Sequence, residues 1–434
     1  MTEKKKWTVV DLFSGAGGMS YGFHLHPSFR IVGAVDAQKG KPSSGDGSLQ
    51  CNLTYQSNIG IEPLDCDLGV IDPDALRCVL GIKPGELNIL ISCAPCTGFS
   101  RTLAKNHILD DPRNSLVRRS SLFVEAMRPD IFLMENAREL IAGNFGHHFE
   151  GLRGDLIRLG YSVHCRTHFL SKFGLPQQRE RALVIAVKKK LILRTLEDLW
   201  DGYRVNAKAI NVRRAIGDHQ PIEGGVKNPD DPLHIAPSFS DPRSRRRLQL
   251  IPHNGGSWSD LAKHSEAEDI LTPAMLRYIA RGEFGSHPDV YGRMWWDRPA
   301  VTIKRECAHI GNGRYSHPEQ DRLCTVREMS ILQGFPRNYK FVASGLSNMY
   351  RHIGDAVPPL ISYQFAKVCE WILGRKKPDI RSAVLQNTNL LPEDIEIEPN
   401  HQYVIELPAT TPRAERFSSS RTHASRIARS ASRI

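Results

Sequence analysis

Nowhere does the chain hold an apolar run approaching the ~20 residues that span a bilayer, so no membrane partner is expected. The opening MTEKKKW supplies charge, but Asp11 interrupts the apolar stretch behind it, and a secretory leader is not expected. Nine cysteines, an odd number scattered from Cys51 to Cys369, argue against a disulfide framework and for a reducing cytosol. Only one CxxC occurs, at Cys93 and Cys96, and no second pair or histidine spacing completes four zinc ligands, so no metal is expected. Internal repeats are absent. A hydrophobic fraction of 40% with 24% charged residues suits a globular chain rather than a disordered one. The net charge of +11 suits a polyanionic partner. Much of the excess, however, sits in residues 408–434, where six arginines face one glutamate in a Ser/Arg-rich tail.

Short apolar runs alternate with helical or loop segments through the first half. WTVVDLF (7–13), IVGAVD (31–36), LNILISCA (87–94), DIFLMEN (130–136), YSVHCRTHFL and RALVIAV read as strands; SLVRRSSLFVEAM and HFEGLRGDLIRLG read as helices between them. That order predicts an α/β fold, a doubly wound and mostly parallel sheet covered on both faces. After Lys190 the pattern dissolves into a long, irregular, basic region centred on DPRSRRRLQLIPHNGG, with LTPAMLRYIA as a helix within it. AVPPLISYQFAKVCEWILG closes as a helix with Pro358 and Pro359 at its start. The expected division is a catalytic domain over 1–190, a smaller irregular domain over 191–347 and a closing helix over 348–374. Residues 375–434 read as a peripheral segment ending in a disordered basic tail.

DLFSGAGG places glycines straight after a strand and before a helix, where backbone can turn tightly and a ligand can come close. No Gly-Lys-Ser/Thr follows, so it is not a P-loop; with Gly15 and Gly17 as the first two glycines, Ser20 stands where a GxGxxG motif needs its third. Asp36 ends the second strand, where a carboxylate can accept from ribose hydroxyls or simply terminate a strand. Cys96 follows the strongest strand at the sheet edge where α/β proteins place ligands, with Cys93 at the strand end. A thioredoxin-like motif is a rival reading, but no aromatic precedes Cys93 and the glycine loop would go unexplained. Glu135 ends the next strand and, across adjacent parallel strands, shares the edge with Cys96. A thiolate beside a carboxyl suits covalent addition to an electron-poor ring. QQRER (177–181) offers Arg179 and Arg181 to the same edge, although such a motif by itself reads as an exposed charged turn.

In order and spacing, DLFSGAGGMSYGF, DCDL (65–68), APCTGFSR, MENAREL, QQRERALVIAV, DRLCTVREMSILQGFP and GDAVPPLI resemble the DNA (cytosine-5)-methyltransferase family of the bacterial restriction–modification type, over residues 7–372. The resemblance implies an S-adenosylmethionine-dependent, Rossmann-like methyltransferase fold with a target-recognition domain. It implies S-adenosylmethionine lined by Phe13, Gly15, Gly17, Asp36, Asp67, Leu68, Asp355 and Val357. Cys96 would add to C6 of a flipped-out cytosine, Glu135 would bind N3, Arg181 would contact O2, and Arg179 would join the catalytic group. Ser100, Arg101 and Arg113, in the loop after Cys96, and Arg245, Arg246 and Arg247 would contact double-stranded DNA. Family habit adds a cognate restriction endonuclease acting on the same site, and one site per chain makes a monomer the default.

The chain departs from the family pattern at several places. Ala94 and Thr97 replace the usual Pro and Gln about the nucleophile, Asp36 a glutamate, Ala37 a bulkier residue, Ala137 a valine, and Asp355 a frequent asparagine. Rivals within and beyond the family are an RNA-methylating branch, whose Cys-Phe-Thr signature is absent, and an idle DNA-binding scaffold. Trp295 and Trp296 are expected in the core rather than as base-stacking platforms.

Overall fold

The computed structural model describes residues 5–40, 47–95, 110–282 and 289–399. Contacts gather Met1–Glu398 into one unit and Pro399–Ile434 into another. The strands of the first unit are β1 (Trp7–Leu12), β2 (Phe29–Val35), β3 (Ile89–Ser92), β4 (Ile131–Ala137), β5 (Tyr161–Phe169), β6 (Gln177–Gln178), β7 (Glu180–Lys188), β8 (Tyr203–Val205), β9 (Ala300–Val301) and β10 (Ile395–Ile397). Helices α1 (Gly18–Leu25), α2 (Cys51–Ile59), α3 (Pro73–Val79), α4 (Ser115–Met127), α5 (Glu139–Ala142) and α6 (His147–Arg158) alternate with the first strands. Later come α7 (Leu196–Trp200), α8 (Val212–Ile216), α9 (Pro242–Leu250), α10 (Ala267–Ile270), α11 (Pro273–Ala280), α12 (Val326–Leu332), α13 (Leu346–Asp355) and α14 (Pro359–Gly374).

The central sheet has six strands in the order β2-β1-β3-β4-β7-β5. β2, β1, β3 and β4 pair in parallel, while β7 runs antiparallel to both β4 and β5. Successive apolar residues serve opposite faces, as the two-residue strand period requires. Val9, Ile89, Ile131 and Ile185 join one core, with α1 and α14, and Val10, Leu90, Phe132 and Val184 join the other, with α3, α4 and α6. Both faces are therefore covered, and the sheet is the doubly wound, mostly parallel one expected.

The strand and helix segments read from the pattern are present with small shifts at their ends; LNILISCA, for example, contributes only Ile89–Ser92 to its strand. α3 begins where Pro73 follows Asp72, whose carboxylate accepts from Ala75 N (2.8 Å). α14 begins at Pro359 and lies against α1 so closely that a Cβ on Gly22 would come 2.2 Å from the Tyr363 backbone nitrogen. One expectation is corrected. Residues 375–398 are not peripheral, because Ile380, Leu385, Leu390 and Ile395 are buried and β10 pairs with β8. Four apolar residues removed from water outweigh the polar composition of the segment around them.

Arg322 and Glu328 are both inaccessible and share two hydrogen bonds of 2.7 and 2.8 Å, beneath the Thr325 cap of α12. Burial by itself would raise the Glu328 carboxyl, but the Arg322 hydrogen bonds and charge outweigh it and hold it at about 2, below its ordinary 4.5. A carboxyl depressed on folding adds stability above its unfolded value and loses it as pH falls toward its folded one. Urea denaturation should therefore show the pair's full contribution above about pH 4.5 and its decline toward pH 2. Glu328→Gln, which leaves the buried guanidinium uncompensated, should cost about 3–5 kcal/mol at pH 7. Gly22→Ala should cost about 1–3 kcal/mol in the same assay by forcing α1 off α14.

Candidate active site

The loop after β1 alternates left-handed backbone at Phe13, Gly15 and Gly17 (φ 58°, 52° and 92°) before α1 begins. At Gly15 and Gly17 such backbone costs little and lets the chain turn tightly between β1 and α1. Asp36, after β2, anchors the loop by accepting from Gly15 N (2.8 Å) and Gln38 N (2.7 Å). Burial raises its carboxyl despite these bonds. A Cβ on Gly15 would meet nothing within 4 Å among the described residues, so that side of the loop is open. Gly18 is closed by contrast, since a Cβ there would come 2.3 Å from the Val357 carbonyl, which brings buried Val357 against the loop.

Beneath the loop lies Asp11, which the motif reading passed over. It is 1% exposed, Ser20 donates to its Oδ2 (2.6 Å), Tyr55 donates to Ser20 (2.8 Å), and its Oδ1 has no partner among the described residues. Burial pushes the Asp11 carboxyl up to about 7, Ser20 opposing and Asp36 adding to the rise. Ser14 Oγ is likewise buried without a partner among them. The remaining residues implied for the methyl donor have separate anchors. Asp67 pairs with Lys39, which lowers its carboxyl, and accepts from Gly69 N (2.7 Å). Leu68 is buried, and its carbonyl accepts from Arg119 Nε (2.7 Å). Asp355 pairs with Arg305 (3.3 Å); desolvation raises its carboxyl to about 6 against Arg305 and Arg179, with Glu306 and Asp36 adding. An open glycine face, two unpartnered buried oxygens and several carboxylates fit a ligand with hydroxyls and cationic groups, which S-adenosylmethionine carries.

Along the same sheet edge, β7 starts beside the end of β4, with Ala137 opposite Arg181 and Glu135 opposite Leu183. This antiparallel register brings Arg181 Nε within 2.9 Å of Glu135 Oε1, and both side chains are largely buried. Arg181 Nη1 also donates to the Glu180 carbonyl (2.7 Å). Asn136, part of MENAREL but given no role of its own there, is fully buried, donates to the Ala94 carbonyl (3.0 Å) and ties β4 to the segment leading to Cys96. Cys93, one residue past β3, packs half-buried against the core. Cys96, Ser100 and Arg101 lie outside the described residues.

Arg179 is placed differently from its expected catalytic position. It is 2% exposed and donates to the carbonyls of Ile303 (3.0 Å), Gly354 (3.4 Å) and Ala356 (3.3 Å), so it ties late segments to the sheet. QQRER is thus no exposed turn, and Gln177 beside it bonds Gln333 (2.7 Å) and Ile303 N (3.0 Å). Arg247 also departs from expectation as a DNA contact. It is buried, bonds the Ile270 carbonyl and lies over the Tyr291 ring. Arg245 and Arg246 are exposed on α9, Arg246 paired with Glu266, while Arg113 is pinned to Asp111 (2.6 Å). Trp296 is buried and Trp295 is covered by Arg314 and Arg298, both in keeping with a packing role.

Residues 7–371 match the family of C-5 cytosine-specific DNA methylases. The chain is 32% identical to the Type II methylase M.HgiDII of Herpetosiphon aurantiacus over 83% of its own length and 94% of that protein's. It is 29% identical to the Type II methyltransferase M1.HphI of Haemophilus parahaemolyticus, covering 83% and 86%. Among solved structures, the Dnmt2 methyltransferase of S. pombe shares the fold at a TM-score of 0.51 and 18% identity, over 84% of this chain and 99% of that one. That family takes its methyl group from S-adenosylmethionine, and the chain belongs to it: it is a DNA cytosine-5-methyltransferase.

Proposed function

We propose that the enzyme methylates C5 of one cytosine within a specific short duplex sequence, through a covalent bond between Cys96 and C6 of the flipped-out base. The reading is carried by the Glu135–Arg181 pair, set beside the strand that leads to Cys96. S-adenosylmethionine supplies an electrophilic methyl group. The Cys96 thiolate adds to C6, and the ring electrons so released are directed to C5. Glu135 hydrogen-bonds or protonates N3 to hold the charge that develops there, and Arg181, already aligned on Glu135, contacts O2. Once C5 carries the methyl group, a base removes the C5 proton and the C6–S bond breaks, returning the thiolate. A soft sulfur nucleophile suits this step because its addition reverses readily. Flipping the base costs a few kcal/mol of stacking and pairing.

Phe13, Gly15, Gly17, Asp36, Asp67, Leu68, Asp355 and Val357 are the residues assigned to the donor site, with Asp11 holding the α1 end of the loop through Ser20. Residues 191–347 serve as the target-recognition domain, where exposed Arg245 and Arg246 reach DNA and the buried Arg247 acts by positioning; Arg179, before β7, positions the late segments against the sheet. The likeness to Type II methylases supports a protective role beside a restriction endonuclease; one nucleophile and one donor site per chain require no second subunit, and the proposed enzyme is a cytosolic monomer.

Base-resolution mapping of 5-methylcytosine in plasmid DNA from cells expressing the protein tests the reading. Methylation should be confined to one short sequence and vanish with Cys96→Ala. Methylated tRNA with unmodified DNA would favour the RNA-directed alternative. On duplexes carrying 5-fluorocytosine at the target, the wild-type chain should form a denaturant-stable complex, because fluorine blocks the final elimination, and Cys96→Ala should form none. Glu135→Gln should lower the single-turnover methylation rate by about 10²–10⁴-fold while leaving DNA affinity within a few-fold.

A further inference from the structure

Asp110 precedes the short turn Pro112–Asn114 that leads into α4, and His147 and His148 open α6, 37 and 38 residues later. The fold brings the three together. His148 Nε2 lies 2.9 Å, and His147 Nε2 3.4 Å, from the same oxygen, Asp110 Oδ2. The two imidazole rings are 4.1 Å apart and tilted by 36°, so they lie side by side rather than splayed. All three ligand atoms fall within 4.8 Å of one another. Asn114 donates to the other carboxylate oxygen (2.8 Å) and fixes the direction of the group.

A histidine–aspartate hydrogen bond needs one imidazole, and His148 supplies it. The second ring, longer in reach and 64% exposed, adds a nitrogen that such a pair does not require. Two imidazole nitrogens and a carboxylate oxygen form a donor set suited to a borderline first-row cation. Metal–ligand bonds of about 2.0–2.2 Å place tetrahedral ligand atoms about 3.4 Å apart, close to the separations from Asp110. Asn114 stands where an outer hydrogen bond would orient the ligating carboxylate. Asp110 and His147 are exposed among the described residues, which gives a cation a route of entry.

We propose that Asp110, His147 and His148 bind one divalent cation of the zinc class and thereby join α6 to the segment entering α4. No step of methyl transfer runs through this site, and its failure would leave the reading of the active site untouched.

The test uses the full chain, stripped with a chelator and dialysed against Zn²⁺ or Co²⁺. One equivalent should bind, and Co²⁺ should give the visible absorption of a low-coordinate nitrogen–oxygen site. Asp110→Asn and His147→Ala should each weaken binding by about tenfold or more, the scale seen when metal-site partners are removed. Saturating Zn²⁺ should raise the Tm of the wild-type chain by a few degrees and leave that of the His147→Ala/His148→Ala variant unmoved. Comparing each protein with and without metal separates ligation from any change in the fold itself. Equal affinity in wild type and variants, or no binding below millimolar metal, would overturn the proposal.

Discussion

The guanidinium of Arg179 is the fixture on which the site's assembly rests. It stands between the sheet and two segments that lie more than 120 residues further along the chain, and it gathers carbonyls from both. A buried charge is tolerated only where dipoles replace the water it has lost, so the segments bearing Ile303, Gly354 and Ala356 cannot drift without exposing it to an apolar interior. Gln177, two residues earlier, repeats the device with neutral hydrogen bonds to Gln333 and Ile303. Arg181, two residues later, faces Glu135. One short stretch therefore sets both the closure of the fold and the alignment of the acid.

Much of this was legible in the sequence. The strands could be read because buried parallel strands are continuous apolar runs, and the ordered motifs placed the glycine loop, Asp36, Glu135 and Arg181 on one edge. Three things were not legible. The sign of a side chain does not reveal which way it points: Arg179 reads as a catalytic residue and Arg247 as a DNA contact, yet both serve carbonyls inside the protein. Asp11 sits within a recognised motif, but only the fold shows that it is buried and that its Oδ1 has no partner among the described residues. The meeting of Asp110 with His147 and His148 depends on how α4 packs on α6, which no local spacing rule encodes.

The donor loop concentrates negative charge. Asp11 and Asp355 each lie within the field of Asp36, and all three carboxyls are raised. Like charges held near one another repel, so a cation entering there is favoured by the field as well as by its contacts. Arg305 beside Asp355 moderates the effect at the position where the family often has a neutral asparagine. The replacement thus comes with its own counter-charge.

The close seating of α1 against α14 has a consequence for synthesis. Gly18 and Gly22 accept backbone from Val357 to Tyr363 at distances that exclude a methyl group, and the Ser362 hydroxyl donates to the Met19 carbonyl. The helix that follows the glycine loop emerges from the ribosome long before the surface of α14 that covers it. Until then the face that meets α14 is uncovered, although β1, β2 and α2 already pack against the rest of the helix, and contacts of such sequence separation close slowly. A nascent or truncated chain lacking α14 has its loop, its acid and its thiol, but not the wall that holds the loop in shape. The ordering of the chain makes activity a property of the finished molecule.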